Sequence, residues 1–328
     1  MLERIITILL CSRVFSSPMT ILSWLVIFVY SLIDSGNAFY GILALIGLCA
    51  AHFGTNLLDD YFDYKALIKQ VNFNKEEYLK NSQKTKCRYL INGYMKEIDL
   101  LMLTAGYLLV ALIIGFFLYL KCGVGIIYFG VIGGLITLLY PFASRICLSE
   151  IMVGLAYGPA LFGGVYYAMC GRFSAEVFLL SIPTMIVTIV LLYIHTVMDY
   201  EYDTHEGKKT VANMFDSQLD ALVVLKWLLI LAYISPIILC IFDILDWQAF
   251  LVWLTIPMAI DLYKSMTEFS CDSNSIPEHK WYHFPMENMK HFQEKGEASF
   301  MIRIYQARNL MIYFAILLVI SMVLSLAI

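Results

Sequence analysis

Seven stretches of 20 or more residues in this sequence contain no Asp, Glu, Lys or Arg, and two further apolar stretches come close to that pattern. A helix needs about 20 apolar residues to cross the hydrocarbon core of a bilayer. The nine stretches are 14–33, 35–58, 100–120, 122–144, 151–171, 177–198, 221–242, 247–260 and 309–328. The eighth is short for a span and is also compatible with a re-entrant segment. We therefore predict an all-α polytopic membrane protein with nine transmembrane helices around a central cavity.

The low content of charged residues supports the same class. Charged residues make up 15% of the 328 residues and hydrophobic residues 60%, whereas a soluble domain carries about 25% charged residues. This composition excludes an ordinary soluble enzyme, a disordered chain and a nucleic-acid binder, so the lipid bilayer is an expected partner and nucleic acid is not. The eight Cys residues include no C-x-x-C pair, which argues against a zinc site or a thioredoxin-type motif.

The Lys and Arg residues predict the orientation of the helices. If all nine stretches span the membrane and the N-terminus is cytoplasmic, 20 of the 22 Lys and Arg residues lie on or near the cytoplasmic face, and the exceptions are Lys121 and Arg172. This asymmetry is typical of the positive-inside rule. Without the eighth span, the basic segment 261–308 would lie on the opposite face. Segments 59–99 and 261–308 are the long cytoplasmic connections, and connections of this length are usually functional or disordered.

Two acidic segments follow the second and sixth apolar stretches. The first reads NLLDDYFDY and the second reads HTVMDYEYDTHEGKKT. In each segment three polar residues recur at intervals of three or four, which places them on one face of a helix. These residues are Asn56, Asp60 and Asp63 in the first segment, and His195, Asp199 and Asp203 in the second. Both segments are predicted to lie at the cytoplasmic ends of their helices.

Carboxylates at these positions need a cation nearby. A helix C-terminus carries a partial negative charge, and like charges four residues apart repel each other. Mg²⁺ takes oxygen ligands and shares its coordination between a few carboxylates and the phosphates of a substrate. We therefore predict Mg²⁺ as a cofactor. For Asp59, Glu201 and Glu206, solvated charges at the membrane edge are an equally good interpretation.

The two motifs resemble those of the UbiA superfamily of intramembrane prenyltransferases, which has nine transmembrane helices and Asp-rich motifs after helices 2 and 6. Within that superfamily the chain is most similar to the 1,4-dihydroxy-2-naphthoate polyprenyltransferases of menaquinone synthesis, whose motifs read N-x-x-N-D-Y-x-D-Y/F and D-x-x-x-D-x-x-x-G-K-x-T. Further likeness lies in Arg88…Gly93, along 150–164 and in Gln306-Ala307-Arg308. The resemblance covers most of the chain except an insertion at about 265–298, and it implies a single domain over 1–328.

The resemblance implies Mg²⁺-dependent transfer of a prenyl group from a polyprenyl diphosphate to an aromatic acceptor, with 1,4-dihydroxy-2-naphthoate as the first candidate. It implies an integral membrane enzyme, in the cell membrane if the source is bacterial, with the active site facing the cytoplasm. The catalytic candidates are Asp60, Asp63, Asp199, Asp203 and His195. The metal candidates are Asn56 and the same four Asp residues. The candidates for diphosphate binding are Asn56, Arg88, Lys208, Arg13 and Arg145, and those for the pocket of the allylic cation and the acceptor are Tyr61, Tyr140 and Tyr200.

Each of these roles has a simpler alternative. The basic residues also serve as topology determinants, and Tyr residues are common at membrane interfaces. His195, and with less support His52, is either a group that binds the acceptor, relays a proton or ligates metal, or a satisfied interior His.

Three other functions stay open at this point. A UbiA-type enzyme with a different acceptor and a membrane terpene cyclase both ionise the same type of diphosphate. An ion-coupled transporter is a remote alternative, because transporters place charges near the bilayer midplane. The acidic residues of this chain lie at helix ends on one face instead.

Overall fold

Nine long helices dominate the structure, a computed structural model that describes residue 8 and residues 11–70, 73–80, 87–143, 145–205, 209–278 and 280–326. Each is long and apolar enough to cross a membrane. They are α1 (Val14–Ile33), α2 (Ala38–Leu67), α3 (Glu97–Cys122), α4 (Gly125–Ala143), α5 (Ser149–Cys170), α6 (Ala175–Met198), α7 (Gln218–Ile241), α8 (Trp247–Cys271) and α9 (Ala298–Ser325). The predicted all-α fold with nine spans is confirmed.

Short helical segments occupy the connections between the long helices. They are Lys75–Lys80, Arg88–Ile91, Tyr200–His205, Ala212–Met214, Trp281–His283 and Met289–Glu294. Among the described residues the only β-type pairing is an isolated bridge between Ile146 and Lys209.

The second helix is longer than its apolar stretch. We predicted a connection from residue 59, but α2 continues to Leu67 and carries the whole first acidic segment. The charges do not end the helix because they are compensated from elsewhere. Lys65 lies in the last turn, where a cation is favourable, and its Nζ is 2.5 Å from Glu97 Oε2 at the start of α3. The connection between α2 and α3 is therefore shorter than predicted.

The eighth and ninth helices also exceed the apolar stretches. α8 begins as a 3₁₀ helix (Trp247–Thr255) and continues as an α-helix (Ile256–Cys271). Pro257 lies in the first turn of the α-helical part, where its missing N–H breaks no hydrogen bond. α9 starts at Ala298 rather than at residue 309. Part of the predicted insertion at 265–298 therefore belongs to α8.

Hydrogen bonds attach the segment 272–297 to α8 and α9. Arg303 is fully buried and donates hydrogen bonds to the carbonyl oxygens of Ser265 and Ser275 at 2.8 and 3.0 Å. Asn309 Nδ2 donates to the carbonyl oxygen of His283 at 2.5 Å, and Lys280 Nζ bonds Asp261 Oδ1 at 2.9 Å. Buried polar groups of α9 thus find their partners in this segment.

The helices differ in how much protein surrounds them. α6 is the most buried span, whereas α3 and α4 bury the smallest share of their length. α5 contains a π-helical turn, Ala156–Ala160, in which Pro159 lacks an N–H and Gly158 has non-helical angles (φ −95°, ψ −112°). π turns inside helices often occur at functional sites. This turn carries Tyr157 and packs against α6 and α1.

Candidate active site

Asp60 is a buried carboxylate with partners from two distant parts of the chain. Its carboxylate forms an ion pair with Arg13, whose Nη2 also lies 3.9 Å from Asp59 Oδ2. Tyr89 donates its hydroxyl to Asp60 Oδ2 at 2.8 Å. Burial and the neighbouring carboxylate raise the pKa of the Tyr89 phenol far above its ordinary range, so the phenol stays a hydrogen-bond donor. The repulsion between the adjacent acidic residues is therefore compensated inside the protein.

The turn before α1 brings Arg13 to this position. Arg13 has a left-handed backbone conformation (φ 53°, ψ 46°), which is uncommon for a residue with a side chain. Ser16 Oγ donates to the Arg13 carbonyl oxygen at 2.7 Å and stabilises the turn. Asn56 Nδ2 donates to the carbonyl oxygen of Ser12 at 3.3 Å and attaches the turn to α2. Asn56 thus shares the helix face of Asp60, as its spacing predicts.

The connection between α4 and α5 joins the two acidic segments. Arg145 Nη2 is 3.5 Å from Asp63 Oδ1 and donates to the carbonyl oxygen of Phe62 at 3.2 Å. Two residues later, Cys147 N donates to the carbonyl oxygen of Lys209 at 3.1 Å. Lys209 belongs to the tail of the second acidic segment. The ends of α2 and α6 are therefore connected through one short stretch of chain.

The second acidic segment begins where α6 ends. Asp199 caps α6 and its N–H donates to the carbonyl oxygen of His195 at 2.9 Å. Asp203 lies in the short helix Tyr200–His205 and is buried. The ring of His195 packs edge-on against Phe300 of α9, with the ring centres 5.9 Å apart. The predicted diphosphate ligand Lys208 lies outside the described residues.

Arg88 and two of the three predicted pocket tyrosines face other partners. Arg88 donates to the carbonyl oxygen of Leu79. Tyr61 lies under the ammonium group of Lys65, and the Tyr200 hydroxyl donates to the carbonyl oxygen of Phe215 at 2.8 Å.

Tyr140 of α4 lies within electrostatic range of both Arg13 and Tyr157. This interaction places Tyr140 in the same region of the protein as Arg13.

Several residues of this region were missed in the sequence. Tyr89 was not singled out because its position on a connection between helices gives no periodic signal. Glu150 of α5 is buried and accepts hydrogen bonds from Ser149 and from Thr196 of α6, at 2.8 and 3.2 Å. In the sequence, Glu150 opens the stretch 150–164 that carries part of the family likeness, but it was given no role. Tyr157 lies in the same stretch and was likewise given no role.

The donor chemistry of these residues fits Mg²⁺. Carboxylate and amide oxygens are the ligands this ion prefers, and it commonly uses one or two carboxylates together with water and substrate phosphates. Within the described ranges, no group of three or more His, Cys, Asp or Glu side chains is arranged to hold a metal ion alone. The carboxylate and amide oxygens of Asn56, Asp60 and Asp63 are donors of the kind that Mg²⁺ combines with substrate phosphates.

Solved structures of similar fold include a synthase in membranes and two UbiA homologues. One described as digeranylgeranylglyceryl phosphate synthase in membranes has a TM-score of 0.57 and 16% identity, over 97% of this chain and 99% of its own. An apo UbiA homologue from Aeropyrum pernix K1 has a TM-score of 0.55 and 16% identity, over 94% and 98%. A UbiA homologue from Archaeoglobus fulgidus bound to GPP and Mg²⁺ has a TM-score of 0.54 and 15% identity, over 92% and 99%.

Sequence comparison defines the family. No curated protein matches the chain in sequence. The model of the UbiA prenyltransferase family matches residues 17–287, which is most of the chain and includes both acidic segments. This match decides between the enzyme and the transporter alternatives in favour of the enzyme. The chain belongs to the UbiA prenyltransferase family and is an integral membrane prenyltransferase.

Proposed function

We propose that the protein transfers a prenyl group from a polyprenyl diphosphate to an aromatic acceptor in a Mg²⁺-dependent reaction, and that the acceptor is 1,4-dihydroxy-2-naphthoate. The observation that carries the proposal is the alternation of acidic and basic groups at one end of the helix bundle. Arg13 pairs with Asp60, and Arg145 lies beside Asp63. A diphosphate with its cation offers both kinds of charge and is able to exchange partners with these pairs.

The acidic residues form two proposed metal-binding groups. Asn56, Asp60 and Asp63 form the first group on α2, and Asp199 and Asp203 form the second after α6. Bound Mg²⁺ neutralises the charge of the diphosphate and makes it a better leaving group.

The basic residues are proposed to hold phosphate oxygens directly. Guanidinium groups bind phosphate through two parallel hydrogen bonds. Arg13 and Arg145 already lie beside acidic residues. The side chain of Arg13 is 25% exposed and that of Arg145 is 42% exposed. We propose Arg88 and Lys208 as further ligands. Arg88 would have to leave the Leu79 carbonyl oxygen to take this role.

The choice of acceptor rests on sequence. The motifs NLLDDYFDY and DYEYDTHEGKKT resemble those of the naphthoate prenyltransferases more than those of other subgroups. The neighbour from Archaeoglobus fulgidus was solved with GPP, and also with DMAPP, each together with Mg²⁺, which supports an allylic diphosphate as the donor class. Tyr140, Tyr61 and Tyr200 are proposed to line the pocket of the allylic cation and the acceptor, since aromatic faces attract cations.

We further propose that residues 1–328 form one domain and that the active site faces the cytoplasm, with the N-terminus on the same side. Arg13, Asp60, Asp63 and Arg145 lie at one end of the bundle. The excess of Lys and Arg residues in the segments at this end supports the orientation.

Purified protein in lipid nanodiscs tests the function directly. We would supply Mg²⁺, diphosphates of several chain lengths and a panel of acceptors, and identify the lipid products by mass spectrometry. We expect a prenylated naphthoquinol precursor that forms only with 1,4-dihydroxy-2-naphthoate. A product with another acceptor, such as a glyceryl phosphate, would contradict the acceptor assignment. A cyclised hydrocarbon formed without any acceptor would show that the protein is a terpene cyclase and not a transferase.

A further inference from the structure

His52 lies two helical turns below Asp60 on the same face of α2, among hydroxyl groups from two other helices. Its Nε2 is 2.8 Å from Ser16 Oγ of α1. Its Nδ1 is 2.5 Å from Thr20 Oγ1 of α1 and 3.0 Å from the hydroxyl of Tyr157, which the π turn of α5 carries. This arrangement brings an imidazole and a phenol into contact within the membrane-spanning region.

Counting protons in this cluster assigns the tautomer of His52. Ser16 Oγ has one proton, and it is donated to the Arg13 carbonyl oxygen at 2.7 Å. The contact between Ser16 and His52 therefore requires a proton on Nε2 of His52, which donates to Ser16 Oγ. A neutral imidazole then has a lone pair on Nδ1. The hydroxyl of Tyr157 donates to this lone pair, and the hydroxyl of Thr20 contacts both Nδ1 and the Tyr157 oxygen.

The cluster adjoins the turn that carries Arg13. Ser16 Oγ contacts both the Arg13 carbonyl oxygen and His52 Nε2, at 2.7 and 2.8 Å. Tyr140 interacts electrostatically with both Arg13 and Tyr157, so these side chains border the same region. The Arg13 turn is therefore linked through Ser16 and His52 to the Tyr157 hydroxyl, and a molecule held at the Arg13–Asp60 pair would lie next to this cluster.

We propose that Tyr157 and His52 bind the hydroxyl group of the aromatic acceptor and receive its proton. The inference rests on the proposed function, since it assumes an acceptor with a phenolic hydroxyl. The acceptor O–H donates its proton to the Tyr157 oxygen while Tyr157 passes its own proton to His52 Nδ1. The acceptor becomes a phenolate, and its ring becomes a stronger nucleophile.

Prenyl transfer to the phenolate forms one carbon–carbon bond and breaks one carbon–oxygen bond. A ring carbon of the phenolate bonds to C1 of the prenyl group as the bond between C1 and the diphosphate oxygen breaks, and the electron pair leaves with the diphosphate. The attacked carbon then loses its proton to the departing diphosphate, or loses carbon dioxide where it carries a carboxylate. The phenolate that results takes the proton back from His52 through Tyr157. The products are the prenylated acceptor, diphosphate and the released proton or carbon dioxide.

A bound diphosphate would change the balance of charge around His52. Burial within the bundle and the charge of Arg13, which faces His52 from the side of α1, both oppose a positive charge on the imidazole. On its own helix, Asp60 lies two turns away and is paired with Arg13. From α5 the titratable neighbour is Tyr157. A diphosphate bound at Arg13 would add negative charge and make His52 a better proton acceptor.

The test compares Tyr157→Phe and His52→Gln with the unmodified protein in nanodiscs, using a series of acceptors whose hydroxyl becomes more acidic through fluorine substitution. Positioned acid–base groups typically contribute about 10²–10⁴-fold in rate. We expect each variant to lose about a hundredfold in kcat with the parent acceptor and to change its KM for the diphosphate little. The ratio of variant to unmodified kcat should rise towards one as the acceptor hydroxyl becomes more acidic.

Tyr233→Phe is the matched control, because Tyr233 and Thr255 form a hydroxyl pair at 2.8 Å between α7 and α8, away from this cluster. Its kcat should stay near that of the unmodified protein. A ratio that is the same for every acceptor, or unchanged kcat in Tyr157→Phe, would overturn the assignment and leave the proposed function intact. If the unmodified protein prenylates no phenolic acceptor, both fail. Should His52→Gln not fold, Tyr157→Phe decides alone.

Discussion

The ion pair between Arg13 and Asp60 is the contact whose removal should affect this protein most. Asp59 and Asp60 are each 3% exposed, so their charges depend on partners within the protein. Two unit charges about 4 Å apart attract by about 4 kcal/mol at an effective dielectric constant of about 20. Removing one partner of a buried pair typically costs about 3–5 kcal/mol, because the other charge is left uncompensated.

The free-energy cost of replacing Arg13 by Gln should lie at the lower end of that range. The Arg13 side chain keeps 25% of its surface exposed, and the hydrogen bond from Tyr89 to Asp60 would remain. We therefore expect Arg13→Gln to lower the free energy of unfolding by about 3 kcal/mol. In the double variant Arg13→Gln/Asp60→Asn the uncompensated charge of Asp60 is gone. We therefore expect the double variant to lose about 2 kcal/mol less stability than the sum of the losses in the two single variants.

Unfolding in mixed micelles with increasing SDS measures these differences, with helix content followed by circular dichroism. A second probe reports on the site itself. Cys11 and Cys87 are buried, and the Cys87 thiol donates to the Asp60 carbonyl oxygen at 3.2 Å. Their labelling by a thiol reagent, quantified by peptide mass spectrometry, should rise at lower SDS in Arg13→Gln. The pair Lys65–Glu97, whose side chains are 35% and 37% exposed, provides the control cycle, and we expect much weaker coupling there.

Two results would refute the reasoning. One is Arg13→Gln unfolding at the same SDS fraction as the unmodified protein. The other is a double variant whose loss equals the sum of the single losses, which would mean that Arg13 and Asp60 do not compensate each other.

Three further predictions concern activity, packing and pH. Asp60→Asn and Asp199→Asn should each abolish prenylated product while the protein stays in the membrane, as measured by product mass and immunoblotting. Gly163→Ala should lower stability by about 1–3 kcal/mol, because an added Cβ would lie 2.3 Å from an aromatic ring of α4. Despite partial burial, hydrogen bonds and the charge of Arg172 hold the pKa of Asp34 below its ordinary range. The small loss of thermal stability in Arg172→Gln should therefore be present at neutral pH and vanish as pH falls through the lowered pKa of Asp34.

Each of these has its own control or contradicting result. Asp220→Asn alters an exposed carboxylate at the start of α7 and should keep full activity. Activity in either Asp60→Asn or Asp199→Asn would contradict the proposed metal-binding role of these residues. Gly134→Ala places its Cβ in open space and should not destabilise the protein. A stability difference for Arg172→Gln that persists at acid pH would contradict the role of the Asp34 carboxylate.

The chain of contacts around Asp60 separates what was predictable from what was not. The spacing of Asn56, Asp60 and Asp63 predicts a shared helix face, and the structure places all three in α2. The spacing cannot predict that the partner of Asp60 is Arg13, 47 residues earlier in the chain. Nor can it predict that Tyr89, on a short connecting helix, donates a hydrogen bond to Asp60. Periodicity carries information only along one helix, whereas these pairs depend on how helices and connections pack.

The same limit explains the helix ends. Charge marked the end of the apolar stretch of α2, but backbone hydrogen bonding continues to Leu67 because Arg13 and Glu97 compensate its charged residues. The π turn that carries Tyr157 towards His52 lies inside the predicted span 151–171, and the sequence pattern did not predict it.

The sequence alone determined that this is a nine-helix membrane protein with two acidic segments, because a bilayer demands about 20 apolar residues per span. That demand acts along the chain and is read directly from it. The tertiary structure alone decided which cation meets which carboxylate, and that His52 meets Ser16, Thr20 and Tyr157 from two other helices. Those pairings follow from the packing of helices in three dimensions, where residues far apart in sequence satisfy each other's buried polar groups.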